Sequence, residues 1–94
     1  MECPMEKKLI ILRGIVQGVG FRFFAYRKAK QFNICGYVRN LPDGGVEILG
    51  KGEKTELDGF INIMRNGPFG AHVEICEVSD FPYEVESSDF EIRI

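Results

Sequence analysis

The sequence predicts an α+β fold, with two helices on one face of an antiparallel sheet, and three observations carry that prediction. At 94 residues the chain has room for one core and no second one. Its apolar residues switch along the chain between the two-residue period of strands and the 3.6-residue period of helices. The switches come in the order β-α-β-β-α-β, followed by a short extra strand, which is the order of a ferredoxin-like sandwich.

Residues 1–8 are polar and patternless and read as a loose N-terminal tail; residues 9–94 read as a single domain. Leu9 to Ile15 is rich in β-formers and reads as the first strand, running into a loop with glycines at Gly14, Gly18 and Gly20. Phe21, Phe24, Ala25, Ala29 and Phe32 then recur at helical spacing, with Asn33 as a left-handed cap. Cys35 to Leu41 is a second strand that ends at the turn formers Pro42-Asp43-Gly44-Gly45, and Val46-Glu47-Ile48 begins its hairpin partner. A second helix starts near Thr55, where Thr55 and Asp58 have capping-box spacing. Its apolar stripe is Leu57, Phe60, Ile61 and Met64, and Gly67-Pro68 ends it; Gly59 inside it costs about 1 kcal/mol against Ala. Val73 to Val78 reads as a strand, and Phe90, Ile92 and Ile94 alternate with Glu91 and Arg93 in a final one.

Composition excludes several function classes. The formal charge is -2, without the basic excess of a protein held on nucleic acid by bulk electrostatics. Hydrophobic residues make up 45%, enough for a packed core, yet no run approaches the about 20 apolar residues of a membrane span. Cys3, Cys35 and Cys76 are odd in number and widely spaced, so reduced thiols and a cytoplasmic location are expected. No group of His, Cys, Asp or Glu has metal-ligand spacing, and the one histidine, His72, reads as structural. Glu84, Glu86 and Asp89 read as a solvated acidic face.

The chemistry concentrates in the loop from Gly14 to Arg22. Glycines let successive N–H groups turn inward as an anion-binding concavity, and the following helix start adds unpaired donors and a partial positive charge. Arg22 supplies a permanent charge whose planar fork suits phosphate oxygens. The same residues also fit a plain glycine-rich connection with a surface arginine. Chain geometry favours the cradle. A helix over Phe21–Phe32 advances about 18 Å at 1.5 Å per residue, and a strand over Cys35–Asn40 returns about 20 Å at 3.3 Å per residue. Asn40 is thereby expected beside the loop and Arg22, where its carboxamide can hold a water; the competing reading makes it a residue that starts the turn before Pro42. Two look-alikes fail on particular residues. Gly45 to Lys51 begins like a P-loop, but Gly52 stands where a hydroxyl must bind magnesium. Gly18-x-Gly20 lacks the third glycine of a dinucleotide fingerprint, Phe23 occupying that place.

The stretch Gly14-Ile15-Val16-Gln17-Gly18-Val19-Gly20-Phe21-Arg22 resembles the first signature of the acylphosphatases, G-x-V-Q-G-V-G-F-R. Gly36-Tyr37-Val38-Arg39-Asn40-Leu41-Pro42-Asp43-Gly44-Gly45-Val46-Glu47 is similar to their second, G-[WY]-V-R-N-x-x-D-G-x-V-E; Gly67-Pro68, Ala71-x-Val73 and Phe90-Glu91-Ile92 also fit. Asn33 departs from the family's usual glycine, Tyr37 from a common Trp, and Ile94 from a frequent aromatic. A related domain opens a much larger hydrogenase-maturation protein, but Phe23 stands where that group tends to have proline, so a small stand-alone enzyme is expected.

The resemblance implies metal-independent hydrolysis of the carboxyl-phosphate bond of a small-molecule acyl phosphate, with inorganic phosphate as product and competing ligand and no cofactor. By position, Arg22 and the loop residues Gln17, Gly18, Val19, Gly20 and Phe21 would bind the phosphoryl group, and Asn40 would orient the attacking water. No nucleic-acid or membrane partner is expected, and the chain is expected to be a monomer. The alternative is a non-catalytic phosphate- or anion-binding module on the same scaffold. An RNA-recognition domain, which would want exposed aromatics on its central strands, finds Val46-Glu47-Ile48-Leu49 there instead.

Overall fold

The computed structural model describes residues 5–94. Seven elements follow one another: strand β1 (Met5–Ile15), helix α1 (Phe21–Gln31), strands β2 (Cys35–Asn40) and β3 (Val46–Glu53), helix α2 (Lys54–Asn66), and strands β4 (His72–Asp80) and β5 (Phe90–Arg93). They build one five-stranded sheet in the order β4-β1-β3-β2-β5, with both helices on one face, the α+β ferredoxin-like arrangement expected.

Two features of the sheet differ from the sequence reading. Met5–Lys8, assigned to a loose tail, instead belongs to β1: it pairs with Gly50–Glu53 of β3, and Lys8 sits opposite Asp80 of β4, with which its ammonium forms an ion pair. Backbone pairing with β3 along its length, and with β4 and Phe81 at Lys7 and Lys8, makes this segment a strand, although its Lys-Lys sequence shows no alternation. The remainder of the expected tail, with Cys3, lies outside the described residues. The sheet is also mixed rather than purely antiparallel. Strands β4, β1, β3 and β2 are antiparallel to their neighbours, whereas β5 runs parallel to β2. The cause is topological: β4 and β5 are opposite edges, so residues 81–89 must cross the sheet. They do so at the end where β2 begins, Phe81 N–H bonding Lys7 O and Gly36 N–H bonding Asp89 O, so β5 sets out in the direction of β2.

Alternation on the strands meets the helical stripes in one core. Ile10, Leu12, Val38, Val46, Ile48 and Phe90 face Phe21, Ala25 and Ala29 of α1 and Leu57, Phe60, Ile61 and Met64 of α2, all buried. Helix α1 stops as expected: Asn33 adopts φ 57°, and Ile34 N–H bonds Ala29 O at 2.8 Å, closing the six-to-one ring of a Schellman cap. Helix α2 does not start as expected. It begins at Lys54 behind Glu53, and no side chain caps it, so Thr55 and Asp58 form no capping box; Asp58 instead pairs with Lys54 one turn away. The interior Gly59 has a packing reason, since a Cβ there would lie 2.7 Å from Cε1 of Phe32, at the contact of the two helices.

Candidate functional site

Strands β1 and β2 are both antiparallel to β3, so their C-terminal ends emerge at the same end of the sheet. The β1–α1 loop and Asn40 are therefore neighbours, the outcome expected from the lengths of α1 and β2. Together they form a cleft of about 290 Å³ lined by Val16, Gln17, Gly18, Gly20, Phe21, Arg22, Phe23, Asn40 and Ile92. Arg22 and Asn40 thus line one cavity, and among the described residues Arg22 is its only ionisable side chain.

The loop is built from alternating anchors and turns. Val16 is fully buried and Val19 packs against the core, which pins the loop by its apolar side chains. Between and after them, Gly18 and Gly20 adopt φ 74° and 76°, a left-handed backbone that side-chain-bearing residues resist. Beyond the adjoining residues, no atom lies within 4 Å of a Cβ built at either glycine, so their requirement is torsional, not steric. Gly20 is the N-cap of α1, with no side-chain cap and no acidic residue in the first turn. The first intrahelical bond is Phe24 N–H to Gly20 O, so the N–H groups of Phe21, Arg22 and Phe23 precede it and face outward from the helix start. Their partial positive charge adds to the Arg22 guanidinium.

Two residues, Gly14 and Asp89, depart from their sequence assignments. Gly14 does not join the cradle. It sits at a β-bulge where β1 shifts register against β4, with φ 129°, and a Cβ there would lie 2.2 Å from His72 O. Val19 packs its side chain against the core, which leaves its backbone N–H as the part of it available to the loop. Asp89 is more than a solvated face, because its carboxylate pairs with Lys30 and accepts the Phe90 N–H at 2.8 Å, which lowers its pKa. His72 lies exposed at the start of β4, outside the cleft.

Other contributors went unread. The Gln17 carboxamide donates to Leu41 O and to Gly45 O, each at 2.8 Å, and so ties the loop to both ends of the β2–β3 turn. Asp43 holds that turn from the other side: its carboxylate accepts the Gly45 N–H at 3.0 Å and pairs with Arg13 at 2.6 Å, and these two contacts depress its pKa. Arg22 donates through Nη1 to Arg93 O at 3.3 Å, so β5 steadies the guanidinium from the far edge. On the opposite face of the sheet, Glu47 accepts from Tyr37 Oη at 2.8 Å and Arg39 Nε at 2.7 Å, and the Arg93 guanidinium lies 4.2 Å from the Tyr37 ring centroid. Burial pushes the Glu47 carboxyl up, but the bonds from Arg39 and Tyr37 outweigh it and the net shift is downward. This network stiffens β2 and β3 just before Asn40. Among the described residues no group of three or more His, Cys, Asp or Glu could hold a metal ion, and no helix is long and apolar enough to cross a membrane.

Comparison with known proteins adds an independent observation. The acylphosphatase family model matches residues 8–92. An acylphosphatase of Pasteurella multocida is 40% identical over 89 residues, covering 95% of this chain and 99% of that protein. One of Archaeoglobus fulgidus is 49% identical over 69 residues, 73% of this chain and 78% of the relative. Among solved structures, the acylphosphatase of Bacillus subtilis superposes with a TM-score of 0.90 at 33% identity, covering 97% of this chain and 100% of its own. A domain of full-length HypF, solved in a phosphate- and nucleotide-bound form, superposes with a TM-score of 0.87 at 28% identity, covering 99% of this chain and 12% of that one.

Proposed function

The chain belongs to the acylphosphatase family of enzymes, whose reaction is hydrolysis of acyl phosphates, and from that premise we propose how its cleft performs the reaction. The observation that carries the reading is the meeting of a guanidinium, a carboxamide and the open start of a helix in one cleft. The phosphoryl group of the substrate sits on the β1–α1 loop, its oxygens taking N–H groups between Gln17 and Arg22 and the fork of Arg22. The carboxamide of Asn40 offers both a donor and an acceptor, and holds a water in line with the bond to be broken.

Water attacks phosphorus while the bond from phosphorus to the acyl oxygen breaks. The departing carboxylate takes the bonding pair, and the water's proton passes to a phosphoryl oxygen, giving a carboxylate and inorganic phosphate. A carboxylate is a good leaving group, so no protein acid is required. Arg22 being the one ionisable side chain of the cleft among the described residues, none of these is suited to act as general base. Phosphoryl transfer through a loose transition state asks chiefly for positioning and charge stabilisation, and fixed dipoles with one guanidinium supply both. The mechanism needs no metal and no cofactor. The substrate is a free small molecule, and the chain works as a cytoplasmic monomer.

The test is turnover of benzoyl phosphate with and without a chelator. Chelator-resistant hydrolysis inhibited by inorganic phosphate is expected. Phosphate binding without turnover would instead favour the non-catalytic anion module.

A further inference from the structure

We infer that Phe23 and Ile92 form the rest on which the acyl part of the substrate lies, and that they select apolar, planar acyl groups over small polar ones. The inference rests on the hydrolytic reading above and concerns the half of the cleft that reading leaves empty. A phosphoryl group has five heavy atoms counting the bridging oxygen; bonded to one another, they take less than the ~150 Å³ of five liquid waters. That is at most about half of the 290 Å³ cleft. The polar donors of the loop, Arg22 and Asn40 account for one part of the lining. What remains on its rim is apolar: Phe23 is 59% exposed and Ile92 42% exposed, two of the larger hydrophobic side chains left facing solvent, and both border the same cavity.

Phe23 is also held in place, unlike a side chain that merely projects. Its ring stacks on Tyr26, one turn along α1, with centroids 6.4 Å apart and planes 17° apart, and the Arg27 guanidinium lies 6.0 Å from its centroid. Ile92 is fixed by the pairing of β5 with β2, opposite Val38. An ordered aromatic and a branched aliphatic, contributed by separate elements and meeting at the mouth of an anion cradle, offer an acyl chain or ring apolar contact without any hydrogen-bonding demand. Neither residue can recognise a carboxylate or amide on the acyl group, so such substituents gain nothing there and lose part of their hydration.

The experiment measures kcat/KM for benzoyl phosphate and for acetyl phosphate in the unmodified protein and in Phe23→Ala, Ile92→Ala and Phe23→Leu. Comparing the ratio of the two substrates between proteins removes their difference in intrinsic reactivity. In Phe23→Ala the benzoyl-to-acetyl ratio is expected to fall about tenfold, mainly through KM for benzoyl phosphate, the scale for returning roughly 50 Å² of apolar surface to water. Ile92→Ala should lower it about threefold to fivefold, and Phe23→Leu should restore most of the loss. Because Phe23 is exposed, its replacement leaves the core intact and the comparison is made on folded protein. A ratio within twofold of the unmodified protein in both alanine variants would overturn the acyl rest while leaving hydrolysis standing. If the unmodified protein cleaves neither substrate, the hydrolytic reading falls and the acyl rest falls with it.

Discussion

Gln17 offers the sharpest test of how the loop is positioned, because one side chain bridges two segments 24 and 28 residues away. Replacing it by Glu keeps the size and shape of the side chain but removes the only atom that donates. The carboxylate then faces the carbonyls of Leu41 and Gly45, which it can only repel. Two neutral hydrogen bonds of 2.8 Å, part-buried, contribute about 0.5–1.5 kcal/mol each, so about 1–3 kcal/mol is lost, with repulsion adding to it. For a domain of this size each kcal/mol moves Tm by about 4–8 °C, and a fall of about 10 °C is expected for Gln17→Glu. Gln17→Ala should fall less, because it loses the bonds without gaining the repulsion, and because both carbonyls keep a backbone partner: Gly44 N–H on Leu41 O and Leu41 N–H on Gly45 O. Since Leu41 follows Asn40 directly, kcat should also drop, about 10–100-fold, from a misplacement of the order of 1 Å. Calorimetry and steady-state hydrolysis of benzoyl phosphate read both effects. A Gln17→Glu protein melting within 2 °C of the unmodified one, at full kcat, would refute the bridging role.

Further outcomes follow from the same geometry. Asn40→Ala is expected to lower kcat about 10²–10³-fold, as for loss of a preorganised group, while inorganic phosphate still competes; a kcat within threefold of normal would remove Asn40 from the water site. Arg22→Ala should weaken inhibition by phosphate as well as rate, and unchanged inhibition would contradict its assignment to the phosphoryl group. Gly59→Ala, which on helix propensity alone should stabilise by about 1 kcal/mol, should instead lower Tm, because the new methyl meets the Phe32 ring at 2.7 Å; a raised Tm would show that the ring moves aside without cost. Asp43 has a folded-state pKa below its unfolded value, so it contributes stability above pH about 4 that disappears as pH falls through the folded value. Asp43→Asn should therefore flatten the acid limb of stability against pH, and identical acid limbs by denaturant titration would contradict the Arg13–Asp43–Gly45 arrangement.

Much of this site can be read from local sequence because it is made by local rules. The glycines at 18 and 20 need left-handed backbone, the helix start follows the loop, and the matched lengths of α1 and β2 return Asn40 to it. What escaped the reading depends on partners distant in the chain. Gly14 looks like a third loop glycine, and only the approach of His72 in β4 shows that it makes room for a bulge. Met5–Lys8 has no strand pattern of its own and becomes one by pairing with β3 and β4. Thr55 and Asp58 have the spacing of a cap, but the helix takes its start one residue earlier, directly from β3. The signature that contains Gln17 gives no hint that its carboxamide ties the loop to the β2–β3 turn, and the carbonyl of Arg93 carries no signal because every residue supplies one.

The parallel seating of β5 on β2 bears on when the protein becomes competent during synthesis. The cleft takes its first wall from Val16 and its last from Ile92, and the oxygen that steadies Arg22 belongs to residue 93. A nascent chain that has already formed α1 and the β2–β3 hairpin still lacks that final wall. At about 5–20 residues per second, the pocket closes only once Ile92 and Arg93 have been added, so a product that stalls before them is left without a finished site.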